Sequence, residues 1–198
     1  MPGLFSNADE PPEPGREFSL RDARVVVIRR VRPDDATGVH TLRVAVASER
    51  AFTATLPREC ADAEVLRRRF GAPPNGALCL VAVAGSAIVG EVNIRPGRGE
   101  RTRHVADLSV HVDARFRGSG LGRELVRTAI DLAEPFIEKV TLAVFADHAA
   151  ARSLYTSLGF VEEGRRSGQV RGANGTLLDD VLMARWRNGE TSRRIPES

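Results

Sequence analysis

Two periods alternate along this chain. Apolar runs of strand length, such as "RVVVIRRV" (24–31) and "KVTLAVFA" (139–146), are separated by stretches in which apolar residues return every third or fourth position. The first run predicts a strand. "RPDDATGVHTLRVAVASER" (32–50) then predicts a helix, entered through Pro33 with Asp34 and Asp35 at the positive end of its dipole. "ADAEVLRRRF" (61–70) predicts a shorter helix closed by Gly71. "ALCLVAVAGSAIVGEVNI" (77–94) reads as two apolar runs about a Gly-containing turn, a hairpin, and "HVADLSVHV" (104–112) as a fourth strand. Leu121, Leu125, Ala129 and Leu132 set out a helical face that ends at Pro135. Residues 139–146 give a fifth strand, apolar enough for burial on both faces. "DHAAARSLYTSLGF" (147–160) predicts a helix stopped at Gly159, and "FVEEGRR" and "GTLLDDVLMARW" (175–186) predict the sixth and seventh strands.

This order, β-α-α-β-β-β-α-β-α-β-β, favours a local parallel pair across 104–146, because a helical crossover returns the chain in the same direction. The flanking hairpins favour antiparallel pairing. The expectation is a single α+β domain over residues 24–187: a mixed seven-stranded sheet flanked by helices. Residues 1–23, rich in Pro, Glu and Gly, are expected to form a disordered tail, and 188–198 a polar one.

A 42% hydrophobic content in 198 residues supports one ordinary core, and 28% charged residues argue against global disorder. No apolar run is long enough to span a membrane, and no signal-peptide pattern opens the chain, so a cytoplasmic protein is expected. The net charge is +3 and the isoelectric point about 9.5. Arginine carries nearly all the positive charge, Lys139 being the only lysine. The arginines are scattered and not interleaved with aromatics, which argues against a nucleic-acid partner. Cys60 and Cys79 form no CxxC, and His40, His104, His111 and His148 have no zinc-ligand spacing, so no metal is expected. A homodimer is compatible with the pattern and not specified by it.

One stretch resists a purely structural account. "RFRGSGLGRELV" (115–126) places three glycines where a helix is about to begin, although glycine is the poorest ordinary helix former. Free N–H groups at a helix N-terminus, without Cβ atoms in the way, make a site for phosphate. Arg117 and Arg123 can add charge-assisted bonds. The run fits neither GxxxxGK[ST] nor GxGxxG. What remains is Arg117-x-x-Gly120-x-Gly122.

"VHVDARFRGSGLGRELV", followed about thirty residues later by "VFADHAAARSLYTSLGFVEEG", resembles the GCN5-related N-acetyltransferase (GNAT) family, over roughly residues 24–187. "HVADLSVHVD" and the ending from Gly175 to Arg185 resemble, more loosely, a bacterial subgroup acting on amino acids or small amines. The resemblance implies a transferase that uses acetyl-CoA and needs no metal, with a small-molecule amine as partner. It implies that the fourth and fifth strands splay, that pantetheine pairs with the backbone of Val110, His111 and Val112, and that the pyrophosphate meets Gly118, Ser119, Gly120, Leu121, Gly122 and Arg123. His148 stands where the family usually has Asn, and Arg152 lies one turn on; both are implied cofactor contacts. Tyr155, the chain's only tyrosine, is implied as the acid that protonates the departing thiolate. Members that acetylate ribosomal N-termini carry a Glu where this chain has Ala143. The base candidates are therefore Asp107 and Glu91, with His111 decided by side-chain direction. Two alternatives remain open: a non-catalytic coenzyme A-binding module and a protein N-terminal acetyltransferase.

Overall fold

The computed structural model describes residues 15–49 and 51–187. Its sheet has eight strands: β1 (Arg16–Ser19), β2 (Val25–Arg30), β3 (Leu78–Ala84), β4 (Ala87–Pro96), β5 (Val105–Val112), β6 (Lys139–Phe145), β7 (Val161–Arg171) and β8 (Leu177–Trp186). They lie in the order β1-β2-β3-β4-β5-β6-β8-β7. Four helices join them: α1 (Ala36–Ser48), α2 (Ala63–Gly71), α3 (Leu121–Ala133) and α4 (Ala149–Ser157). All pairings are antiparallel except β5 with β6, the pair that the crossover through α3 makes parallel.

The eighth strand corrects the expected count of seven. Arg16–Ser19 pair with Val25–Ile28, so this part of the segment expected as a tail is a strand of the sheet, and a turn at 20–24 joins it to β2. The strand is short, polar and mostly exposed, as suits an edge, and so carries no strand periodicity to read. The tails at 1–14 and 188–198 lie outside the described residues.

The larger core lies between the sheet and α3, which buries Leu121, Leu125, Val126, Ala129, Ile130 and Ala133. The other face of the sheet is covered by α1 and α2, where Ala36, Val39, Leu66 and Val81 form a second cluster. Strand alternation divides β5 between the two sides. Ala106 and Leu108 face the larger core with Val110 and Val112 beside them, while Asp107, Ser109 and His111 take the other face.

β5 and β6 pair only at Val105↔Lys139, Ala106↔Val140 and Asp107↔Thr141, and then part. The splay leaves part of β5 without a partner on that side. The bonds Asp113 N–H to Val89 O and Gly97 N–H to Val105 O set the alternation with β4. Odd-numbered residues of β5 therefore exchange hydrogen bonds with β4, and Leu108, Val110 and Val112 turn their N–H and C=O groups into the gap.

Candidate active site

The gap opens into a cavity of about 730 Å³. One end is the glycine stretch. Gly118 and Gly120 have φ of +72° and +95°, the left-handed region that glycine alone enters freely. Gly120 is the N-cap of α3 and supplies no side-chain cap, so the N–H groups of Leu121 and Gly122 point outward without an intrahelical acceptor. A Cβ at Gly118 would stand in open space and one at Gly120 would meet Arg21 at 3.6 Å. The loop is thus a cradle kept clear of side chains, and it fits a phosphate group. The side chains of Ser119 and Leu121 are not part of it: Ser119 is buried with its hydroxyl donating to Phe116 O, and Leu121 is core.

Arg21 was missed from sequence because it sits in the segment read as tail. Its N–H donates to Ser119 O at 3.0 Å, which docks the β1–β2 turn on the glycine loop, and its side chain lines the cavity beside Gly120. Arg123 also lines the cavity and donates to Ser157 Oγ at 2.6 Å. Arg117 lines it too, but its fork is taken by Glu49, with both bonds at 2.6 Å. Its Nε reaches Val112 O at 3.2 Å, and its guanidinium lies 4.3 Å from the centroid of Phe52. Phe52 also meets the ring of His148 at 5.0 Å. One loop aromatic, without any periodic signal in the sequence, therefore joins the segments that follow the two splayed strands.

From α4, the cavity-facing stripe runs through Ala151, Leu154 and Tyr155. Arg152 is turned away from it, bonded to Ala146 O and Glu162. Tyr155 is 8% exposed and packs edge-on against Phe160, 5.7 Å between centroids. Burial pushes its phenol up to about 12, so it stays protonated at neutral pH. Burial also lowers the pKa of His148, which favours the neutral ring.

The three base candidates separate clearly. Asp107 lies where β5 and β6 still pair, and its exposed side chain pairs with Arg95 at 2.8 Å, away from the cavity. Glu91 is 0% exposed. Its carboxylate accepts two bonds from Arg43, one at 2.8 Å, and one from Asn93 Nδ2 at 2.8 Å. Burial alone would raise its pKa; the contacts from His111 and Arg43 and the guanidinium charge outweigh burial and bring it to about 2. Arg43 and Asn93 were not anticipated. An arginine amid "LRVAVA" in a helix, opposite a strand glutamate, was the available signal. His111 lies across from Glu91 in the β4–β5 register and lines the cavity. Its backbone is engaged with β4, so the strand groups open to a ligand are those of Val110 and Val112, with Val112 O already bonded to Arg117.

Beyond the splay the cavity reaches Arg166 and Asp180, a bidentate pair in which Asp180 is buried. A smaller, mainly apolar chamber of about 280 Å³ shares Thr53, Ala54, Phe145 and Val170 with it. Among the described residues no group of three or more His, Cys, Asp or Glu is placed to hold a metal, and no helix is long and apolar enough to cross a membrane.

A splayed parallel pair, a glycine-lined helix N-terminus and a buried tyrosine on the following helix define an acyltransferase-like site. The Acetyltransferase (GNAT) family matches residues 42–160, more than half of the sequence, and the chain belongs to that family. It is 32% identical over 108 residues to the L-amino acid N-acetyltransferase AaaT of Escherichia coli, covering 54% of this chain and 66% of that protein. It is 36% identical over 110 residues to human N-acetylaspartate synthetase, covering 54% of this chain and 35% of the relative. The chain thus spans at most about two thirds of these relatives' lengths. Among solved structures, a GNAT acetyltransferase from Streptococcus pneumoniae superposes with a TM-score of 0.77 at 28% identity, over 81% of this chain and 99% of that one. The yncA protein from Salmonella typhimurium, solved with its cofactor acetyl-CoA, shares the fold with a TM-score of 0.75 at 20% identity, over 86% and 98%.

Proposed function

We propose that this protein is an N-acetyltransferase that takes the acetyl group of acetyl-CoA and passes it to the primary amine of a small molecule, an amino acid foremost. The observation that carries the proposal is a single cavity onto which three features open. These are the strand edge at Val110 and Val112 that β6 leaves open, the cleared N-terminus of α3 and the Tyr155 side chain.

Each feature meets a part of the ligand. Val110 and Val112 can pair with the amides of a pantetheine arm as an added strand would. The N–H groups of Leu121 and Gly122, with Arg21 and Arg123 beside them, suit the diphosphate. When bound, acetyl-CoA supplies the acetyl thioester. Tyr155, held neutral by burial, offers a proton where charge develops on sulfur. A phenol is a weak acid for this task, so its contribution lies in position more than in acidity. The Arg166–Asp180 pair and the apolar chamber stand on the acceptor side, where a small polar amine with a compact side chain fits. The E. coli relative's name supports an amino acid.

Two measurements test this. Calorimetric titration should detect acetyl-CoA binding, with ATP and NAD inert. A screen of free amino acids, polyamines, aminoglycosides and N-terminal peptides, followed by thiol release, should single out a small amine. No binding of acetyl-CoA at millimolar concentration would overturn the proposal. Turnover confined to peptides would move the acceptor to protein N-termini.

A further inference from the structure

We infer that His111 is the general base of the transfer proposed above, with Glu91 as the positioning residue that holds its ring for that task. The inference rests on that reading of the cavity and adds the group that activates the amine.

The ring has two unlike edges. Nδ1 is buried and, among the described residues, has no hydrogen-bond partner. It lies 3.5 Å from Glu91 Oε2, an ion-pair contact just short of a formed hydrogen bond. The ring as a whole is 19% exposed and lines the cavity, so the opposite edge, with Nε2, meets the space where the amine must enter. A buried ring nitrogen left unpaired is costly, and the one acceptor beside it is the Glu91 carboxylate. Nδ1 therefore carries the hydrogen, and Nε2 presents its lone pair to the cavity.

Glu91 cannot do this work itself. It is fully buried, its oxygens are occupied by Arg43 and Asn93, and Cys79 Sγ approaches it at 3.5 Å. No amine reaches it except through His111. What it does is orient the ring, its Oε2 lying 3.5 Å from Nδ1 on the closed side of the cavity. Arg43 and Asn93 keep the carboxylate fixed, so the ring meets an acceptor that is already oriented. His148, the other histidine on the cavity, packs on Phe52 and, among the described residues, forms no ion pair, its neighbouring carboxylate being the adjacent Asp147.

The balance of the step is simple. The amine nitrogen uses its lone pair to form the bond to the acetyl carbonyl carbon, and the carbon–sulfur bond breaks with its electron pair on sulfur. His111 Nε2 takes the proton that the nitrogen gives up, and Tyr155 gives one to sulfur. Exchange with water returns the imidazolium and the phenolate to their starting forms. No oxidant, reductant or metal enters.

The charged and titratable groups around His111 are Glu91 from β4, with Arg43 from α1 and Cys79 from β3 behind it on the closed side. Across the cavity stand His148 and Tyr155, with the Arg166–Asp180 pair from β7 and β8, and Arg117 follows β5.

The test uses the full chain in two states. Without ligand, ¹⁵N NMR of the histidine side chains should show the neutral His111 ring protonated at Nδ1. With acetyl-CoA and the best amine from the screen, His111→Ala should lower kcat about 10²–10⁴-fold, the range of general-base loss. Added imidazole should restore part of the rate. Acetyl-CoA affinity should change less than twofold, and His111→Gln should fold as the wild type does with the same loss. A neutral ring protonated at Nε2, a kcat within threefold of wild type, or no rescue by imidazole would each overturn the inference while acetyl-CoA binding stands. Failure of the wild type to bind acetyl-CoA would overturn the underlying reading and this inference with it.

Discussion

Arg117, the arginine that opens the glycine-rich stretch, is held by Glu49 through two bonds of 2.6 Å, with its guanidinium 4.3 Å from the Phe52 ring. A phosphate that uses Arg117 must first compete with this carboxylate. Glu49→Gln removes both the competitor and a negative charge near the anion site. A partly exposed pair of this kind is worth about 0.2–1 kcal/mol. Acetyl-CoA should therefore bind up to about fivefold more tightly to Glu49→Gln, and the gain should shrink with added salt. Calorimetry at two ionic strengths reads this. Weaker binding would mean that Glu49 positions Arg117 for the ligand and does not compete with it.

Arg21 reaches the glycine loop from the opposite side. Its loss should remove a charge-assisted bond to phosphate, about 1.5–3 kcal/mol and so roughly 10- to 100-fold in acetyl-CoA affinity. Acetyl-pantetheine lacks the diphosphate and should bind Arg21→Ala and wild type equally. Equal losses for both ligands would show that the substitution had disturbed the docked turn instead.

Tyr155 is the only tyrosine, so its phenolate can be followed by absorbance without interference. With burial pushing it up to about 12, no phenolate should form below about pH 10. Tyr155→Phe keeps the ring that packs on Phe160. It should retain the fold and the acetyl-CoA affinity while kcat falls about 10²–10⁴-fold, the usual range for a lost general acid. Unchanged single-turnover kcat would remove Tyr155 from the mechanism.

Glu91 makes a different prediction, about stability. Its carboxyl titrates near 2 in the fold against an ordinary value near 4.5. A folded-state pKa below the unfolded one stabilises above the unfolded value, and that contribution is lost as pH falls from about 4.5 toward 2. Glu91→Gln also leaves the half-buried Arg43 without its charged partner, a loss of about 1.5–3 kcal/mol at pH 7. Urea unfolding should show that deficit at pH 7 and a smaller one at pH 3. An equal deficit at both would mean that the carboxylate charge contributes nothing.

The two periods of the sequence located seven strands and four helices, because each carries an apolar face or run that must be buried. β1 has no such face. Its pairing is a matter of backbone alone, and so it could not be read. The same holds at the site. The glycine stretch and Tyr155 were legible because their residue types are unusual for where they stand. Asp107 was chosen as a strand carboxylate, but its direction depends on the point at which β5 and β6 stop pairing, which no local pattern encodes. Glu91 belonged to the right cluster, but its depth depends on Arg43, forty-eight residues earlier on another element. Phe52 lies in a loop, where hydrophobicity has no period to stand out from.

An open sheet ordinarily ends twice, and at each end a bare strand can recruit a neighbouring molecule. Here both outer ends, β1 and β7, carry polar and charged residues that discourage such recruitment. The parting of β5 from β6 creates a third end, placed inside the molecule between α3 and α4. The helices beside it keep this end away from the molecular edge, where a second sheet would have to approach. The fold thus keeps a strand in readiness for pairing without the association hazard that such a strand brings at the surface.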